Sequence, residues 1–288
     1  MITGHNTITI GDVGCLVQFE DNFFQDTFDL YLAEYRAWGF CRDVSPQIAI
    51  TVKDGFIPQP TAANRNLFYQ ALQYDTVAAT MLLDSSTSRG EIGFSIGQGD
   101  AFTIVRITEL IESFICNAYI FYFALHEIGT FIHACGVDDG NKGYIFAGPS
   151  GYGKSTIGKL SFPREILCDE MVLLKKDHVA GRTVFGTPYV GESKGLNRGV
   201  RCRGIYFIEQ STENVLLPIS RMSAAITLIK EGIMGNFLSL EGVRNIVSYG
   251  TFLPLVLDLL AGIPCYRLRF KKDNSFWRLI HGNEDLTD

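Results

Sequence analysis

No two of the seven cysteines stand close enough for a C-x-x-C clip, and their number is odd: they occupy positions 15, 41, 116, 135, 168, 202 and 265. That spacing argues against a disulfide framework and a zinc site, and for free thiols in a reducing cytoplasm. No apolar run is long enough for a bilayer. The strongest, Phe114–Leu125, is interrupted by Asn117 and falls short of the roughly 20 residues a span needs. It reads as a buried helix, and no membrane partner is expected. The opening Met1-Ile2-Thr3-Gly4-His5 has no basic patch followed by an apolar stretch, so no signal peptide is expected and a cytoplasmic location is. Nor is there a basic excess. The formal net charge of −6 argues against a nucleic-acid partner held by an overall basic surface.

What is present is a folded chain. With 288 residues, 47% hydrophobic and 19% charged, it is neither disordered nor too small to build a core. One large or two modest domains are expected. Charge divides the chain near residue 110, with a net of −7 before it and +1 after it. We therefore expect an acidic α+β domain over residues 1–108 and a second domain over 109–288. The first reads as short strands at Thr7–Ile10, Cys15–Phe19, Ile48–Lys53, Leu67–Leu72, Glu91–Ile96 and Phe102–Ile107, separated by turn signals such as Gly11-Asp12 and Asp54-Gly55. A helix is expected from Thr27 to Trp38. A long helix from Thr108 to Thr130, with Thr108 as N-cap and Glu109 and Glu112 in its first turn, joins the domains.

The sharpest motif is Gly148-x-x-x-x-Gly153-Lys154-Ser155, a G-x-x-x-x-G-K-[ST] phosphate loop. Its surroundings suit it. Tyr144–Ala147 reads as a buried strand and Lys154–Leu160 as the helix that follows. Gly148, Gly151 and Gly153 let the backbone curl round phosphate without Cβ clashes. The helix start offers unpaired N–H groups. Lys154 neutralises β/γ oxygens, and the Ser155 hydroxyl reaches Mg²⁺. The predicted nucleotide contacts run from Gly148 through Pro149, Ser150, Gly151, Tyr152, Gly153, Lys154 and Ser155 to Thr156.

Three further features accompany the loop. Glu165–Cys168 reads as the next strand and ends at Asp169-Glu170, where a nucleotidase needs a carboxylate for Mg²⁺; a solvated acidic turn is the plainer reading. His133 lies just before a strand and suits acid–base work near neutral pH, although a lone histidine beside an apolar run is more often structural. Lys194–Arg203 gathers Lys194, Arg198, Arg201 and Arg203. Either these clamp phosphate or an acidic peptide, or they form a solvated basic edge.

A histidine 15 residues before the phosphate loop, with an acidic pair shortly after it, resembles the HPr kinase/phosphorylase-related proteins. That group includes peptide-modifying relatives such as lasso-peptide precursor kinases. The resemblance covers about residues 130–285. It extends through Gly186-Thr187-Pro188-Tyr189-Val190-Gly191-Glu192, Arg203–Ile208 and Tyr266–Phe270 to Trp277. It implies an α/β P-loop domain similar in fold to the phosphoenolpyruvate carboxykinases. It implies ATP and Mg²⁺ as cofactors, a serine-bearing peptide or protein as acceptor, and a tendency to form homo-oligomers. By position, Asp169 becomes the catalytic base, His133 and Lys154 join it as catalytic residues, and Glu170 helps hold the metal with Ser155. The chain departs from the family in having Asp-Glu for Asp-Asp, and Arg201-Cys202-Arg203-Gly204 for Glu-Ile-Arg-Gly. Glu192 is the substitute metal ligand for the missing glutamate. A non-catalytic nucleotide-binding regulator or scaffold is the alternative reading.

Overall fold

The computed structural model describes residues 4–59, 67–74, 76–98, 102–177, 181–193, 195–231 and 249–284. The fold is mixed α/β, with two sheets and, among the described residues, six helices. The chain forms two compact units, the first made of Met1–Glu127 with Phe237–Tyr249 and the second of the rest from Ile128 on. All seven cysteines are free. Among the described residues, no helix is long and apolar enough to cross a membrane.

The first unit contains β1 (Gly4–Ile10), β2 (Val13–Phe19), α1 (Asn22–Ala37), β3 (Ile48–Asp54), β4 (Leu67–Tyr74), β5 (Val77–Asp84), β6 (Arg89–Ile96) and α2 (Thr103–Leu125). The strands form one sheet in the order β1-β2-β3-β6-β5-β4. The β2–β3 and β3–β6 pairs are parallel and the others antiparallel. Helix α1 starts where the Asp21 carboxylate accepts from the Phe23 N–H at 2.7 Å, an N-cap. Its buried Phe24, Phe28, Leu32 and Tyr35 recur at helical spacing. Phe24 stacks on Phe94 of β6 with ring centroids 5.0 Å apart, and Phe121 of α2 meets Phe68 of β4 at 4.6 Å. The buried Tyr119 hydroxyl donates to the Ile8 carbonyl at 2.6 Å.

Three local expectations for this unit are corrected. Phe102–Ile107 forms no strand; Thr103–Ile107 is the first part of α2. Thr103, Ile107, Leu110, Ile111 and Phe114 are buried, and that 3/4 spacing outweighs the short apolar run, which alone fits either period. Thr108 is consequently no N-cap. It lies inside α2, with its hydroxyl donating to the Ile104 carbonyl at 3.0 Å, and the helix ends at Leu125, not Thr130. Finally, α2 belongs to the first compact unit, so the division falls after this helix and not at residue 108. Strand β5, which the sequence reading missed, lies between β6 and β4. Val77, Ala79, Met81 and Leu83 are buried in alternation, but the intervening Ala78 and Leu82 are apolar as well, which hides that period in the sequence.

The second unit contains β7 (Gly129–Ile132), β8 (Ala134–Asp138), β9 (Lys142–Ala147), α3 (Lys154–Leu160), β10 (Glu165–Cys168), β11 (Val172–Asp177), β12 (Gly181–Phe185), β13 (Gly199–Gln210), β14 (Val215–Pro218), α4 (Arg221–Glu231), α5 (Tyr249–Leu259), β15 (Cys265–Phe270) and α6 (Phe276–Glu284). Its sheet runs β10-β8-β9-β13-β12-β11-β7, with β15 pairing the far part of β13 and β14 pairing β15. The β9–β13 and β13–β15 pairs are parallel. Tyr144, Phe146, Tyr206, Ile208, Tyr266, Leu268 and Phe270 put every second side chain on one face. There they pack with Ile157 of α3 and Phe276, Trp277 and Ile280 of α6. Phe146 and Tyr206 stack at 5.3 Å. This aromatic core fixes the height of α3 against β9, and so the shape of the loop between them.

Candidate functional site

Strand pairing brings the motif residues to one edge of the second sheet. Strand β8 is antiparallel to both β9 and β10, so β9 and β10 run the same way. The loop after Ala147 and the turn after Cys168 leave the same edge. Ala134 pairs with Ala147, and its N–H donates to the Glu170 carbonyl at 3.1 Å. His133, just ahead of β8, is therefore beside both.

The loop Gly148–Gly153 has Gly151 at φ 83° and Gly153 at φ 105°, the left-handed region that glycine enters without a Cβ penalty. A Cβ on Gly153 would also meet the Phe270 ring at 2.9 Å. Lys154 is 6% exposed. Its ammonium donates to the carbonyls of Gly148 at 3.1 Å and Pro149 at 3.4 Å, so it sits inside the curl of the loop. Burial lowers its pKa, against the opposing pull of the Glu170 carboxylate. Ser155 and Thr156 follow in the first turn of α3. Gly148, Pro149, Gly151 and Tyr152 line an open cavity of about 530 Å³, together with Phe207 and Gln210 of β13, Thr227 and Glu231 of α4, and Arg267 of β15.

His133 Nε2 lies 2.7 Å from Glu170 Oε1. Burial lowers the imidazole pKa, as does the nearby Lys154 charge, while Glu170 raises it; the net shift is downward. His133 shares a small cavity with Ala147, Gly148, Phe207 and Glu231.

Asp169 is engaged differently. It is 4% exposed. Oδ1 accepts from the Gly191 N–H at 2.9 Å and the Ser193 hydroxyl at 2.8 Å. Oδ2 accepts from the N–H groups of Glu192 at 2.8 Å and Ser193 at 3.0 Å. Burial alone would raise its pKa, but these hydrogen bonds to the ionised form bring it below the ordinary value. The segment leading into 191–193 is fixed in turn. The Thr187 hydroxyl donates to the Met171 carbonyl at 2.5 Å, and the Cys168 thiol donates to the Tyr189 carbonyl at 3.2 Å. Gly186 allows the close approach: a Cβ there would lie 2.3 Å from the Leu196 carbonyl oxygen and 2.4 Å from that of Leu167.

Glu192 points its carboxylate at Lys159 of α3, 2.6 Å away. Among the described residues no group of three or more His, Cys, Asp and Glu is placed to hold a metal. The donor set here, Ser155 with nearby single carboxylates, suits Mg²⁺ that arrives with phosphate oxygens and keeps waters; it is not a protein cage.

The basic segment divides. Lys194 lies outside the described residues. Arg198 pairs with Asp138 at 2.5 Å and Glu165 at 2.6 Å. Arg201 pairs in register with Lys142, at the start of β9. At about 3.3 Å per residue, that is about 17 Å along the strand from Ala147, so Arg201 is at the edge away from the phosphate loop. This register sets Arg201 apart from the phosphate clamp expected of the basic segment. The sequence reading also gave no role to Gly191 and Ser193, which hold Asp169, to Lys159, or to Gln210, whose amide donates to the Gly151 carbonyl at 3.3 Å. The only sequence signal was that Gly191 and Glu192 close the segment beginning at Gly186.

A mixed α/β fold with a strand, a G-x-x-x-x-G-K-S loop and a helix in sequence defines the general class. Residues 101–282 match the family described as SynChlorMet cassette protein ScmC, and the chain belongs to that family. No curated protein matches the chain.

Proposed function

We propose that the chain is an ATP- and Mg²⁺-dependent kinase that transfers the γ-phosphoryl group to a serine hydroxyl of a peptide or protein, on a P-loop domain of the HPr kinase and phosphoenolpyruvate carboxykinase type. One observation carries this reading. Lys154 in its glycine loop, the His133–Glu170 pair and Asp169 share one sheet edge, and a cavity of about 530 Å³ adjoins that loop. Phosphoryl transfer asks for positioning and charge neutralisation more than covalent chemistry. Lys154, now on the Gly148 and Pro149 carbonyls, would neutralise the β/γ oxygens. Ser155 would help hold Mg²⁺, which when bound would supply charge neutralisation for the transferring group. The cavity beside Tyr152 and Phe207 takes the rest of the nucleotide.

The family description names a cassette, so the first acceptors to test are serine-bearing peptides encoded with it. The chain is incubated with Mg²⁺–ATP and each peptide, and ADP and phosphoserine are quantified. Wild type makes both and Lys154→Ala makes neither; wild type that makes no ADP with any acceptor contradicts the reading. The full hydrogen-bond complement on Asp169 favours a second reading, a nucleotide-binding regulator. That protein binds Mg²⁺–ATP through Lys154 without turning it over.

A further inference from the structure

We propose that Arg267 of β15 binds the α-phosphoryl group of the nucleotide. The nucleotide then lies across the sheet edge, with its nucleoside on the β13–β15 side and its γ-phosphoryl end toward β10. The inference rests on the reading above for its nucleotide, and it names the residue that grips the end of that nucleotide which does not react.

Register places Arg267 at the loop. Ala147, the last residue of β9, pairs with Phe207 of β13, and Phe207 pairs with Arg267 of β15. Three parallel strands thus bring Arg267 level with the residue that precedes the phosphate loop, two strand spacings or about 10 Å away. The same register holds Arg201 at the opposite edge. Tyr206, Ile208, Tyr266 and Leu268 occupy the core face of these strands. Phe207 and Arg267, between them in the alternation, take the other face and line the cavity beside Gly148 and Tyr152.

Charge gives it an anion to bind. Two carboxylates line the cavity, Glu209 and Glu231. Glu209 is held by Arg269, at 3.4 Å, and Glu231 also lines the small cavity next to His133. Arg267 has no ion-pair partner among the described residues. Its planar fork of N–H donors suits phosphate oxygens. Sheet order then selects the phosphate. Asp169 and Glu170 follow β10, on one side of β9, and Arg267 stands on the other, beyond β13. With Lys154 on the β/γ oxygens and the reacting end toward the acidic pair, the α-phosphoryl group is the one left for Arg267. The nucleoside continues along α4, where Ser223 and Thr227 line the cavity one turn apart. The Thr227 hydroxyl donates to the Ser223 carbonyl at 2.9 Å, which leaves its oxygen free to accept from a sugar or base.

The test is calorimetric titration of the full chain with Mg²⁺ complexes of ATP, ADP and UTP. Arg267→Ala is expected to lose about tenfold in affinity, the scale of a hydrogen bond to a charged group. The loss is the same for all three ligands. ADP lacks the γ group and Lys154 meets the β, so equal losses for ATP and ADP leave the α; equal losses for ATP and UTP exclude contact with the base. Arg267→Lys, which keeps the charge, recovers part of the affinity. Arg267→Gln, closer in size than alanine, repeats the loss should the alanine variant fold poorly. The proposal is overturned if Arg267→Ala and Arg267→Gln bind all three ligands as wild type does. It is equally overturned if the loss is confined to ATP, which would mean a γ contact, or is several-fold larger for ATP than for UTP, which would mean stacking on the purine. Binding needs no turnover, so a wild-type chain that binds these ligands but phosphorylates no acceptor overturns the kinase reading and leaves this inference standing. A wild-type chain that binds none of them overturns both.

Discussion

In the first unit the buried polar side chains, among the described residues, are Thr9, Thr27, Thr80, Thr103 and Thr108; in the second they include Asp138, Lys154 and Asp169. Three of the threonines bond to backbone groups, Thr108 among them. Thr27 donates to the Phe23 carbonyl at 2.7 Å, and Thr80 accepts from the Ile57 N–H at 2.9 Å. The three charged groups have dedicated partners: Arg198 for Asp138, two loop carbonyls for Lys154, and the 191–193 loop for Asp169. A buried charge is costly unless it is paired and hydrogen-bonded. Two of these charged groups, Lys154 and Asp169, lie at the same sheet edge, which is where the proposed function puts the chemistry.

The comparison can be broken most severely at two glycines. A Cβ on Gly93 would lie 2.2 Å from the Gly55 carbonyl oxygen, and one on Gly186 is blocked by the Leu167 and Leu196 carbonyls. Gly93→Ala and Gly186→Ala should each lower unfolding free energy by about 3 kcal/mol, as overpacking against backbone does, measured by urea denaturation. Only Gly186→Ala should also impair phosphoryl transfer, because it displaces the end of β10 and the segment that leads to Gly191. Equal losses of activity in both variants would erase the distinction between the units.

A smaller effect tests Asp169 through pH. Its pKa is lowered in the folded chain from an ordinary 3.8. The stability this gives is complete above that ordinary value and is lost as pH falls through the lowered one. Asp169→Asn should therefore be less stable than wild type by about 2 kcal/mol at neutral pH, the scale of hydrogen bonds to a charged group. The gap should narrow in urea titrations below the ordinary value. A gap of constant size across that range would mean that the Asp169 charge does not hold the loop. The smallest effect belongs to the first unit. Thr80→Val should cost about 1 kcal/mol by leaving the Ile57 N–H without that acceptor, with Mg²⁺–ATP affinity unchanged by calorimetry.

These contrasts also explain what could be read in advance. The conformation of the Gly148–Gly153 loop was legible because its residues are contiguous and each obeys a local rule: a strand, glycines with positive φ, then a helix. The expected bounds Lys154–Leu160 and Glu165–Cys168 match α3 and β10. Asp169-Glu170 was legible as an acidic pair, but not the different partners its two members take. The partners of Asp169 lie 22 to 24 residues further on, and three of those four bonds come from backbone N–H groups, which leave no mark in side-chain sequence. The place of Arg201 depended on the register of β13 against β9, which is equally non-local. In the first unit, Phe102–Ile107 misled because a short apolar run carries no period of its own. Thr108 misled because a threonine suits both an N-cap and a back-bond to the preceding turn.

The most direct test of the account is a calorimetric titration of the full chain with Mg²⁺–ATP, with wild type and Lys154→Ala side by side. Lys154 is buried inside its loop, so its ammonium is the charge the phosphates must meet. Wild type should bind, and the variant should lose about 100-fold in affinity, roughly 3 kcal/mol, the scale for removing one partner of a desolvated charge pair. Equal binding by the two proteins, or none by either, would contradict the assignment of this loop to nucleotide phosphate.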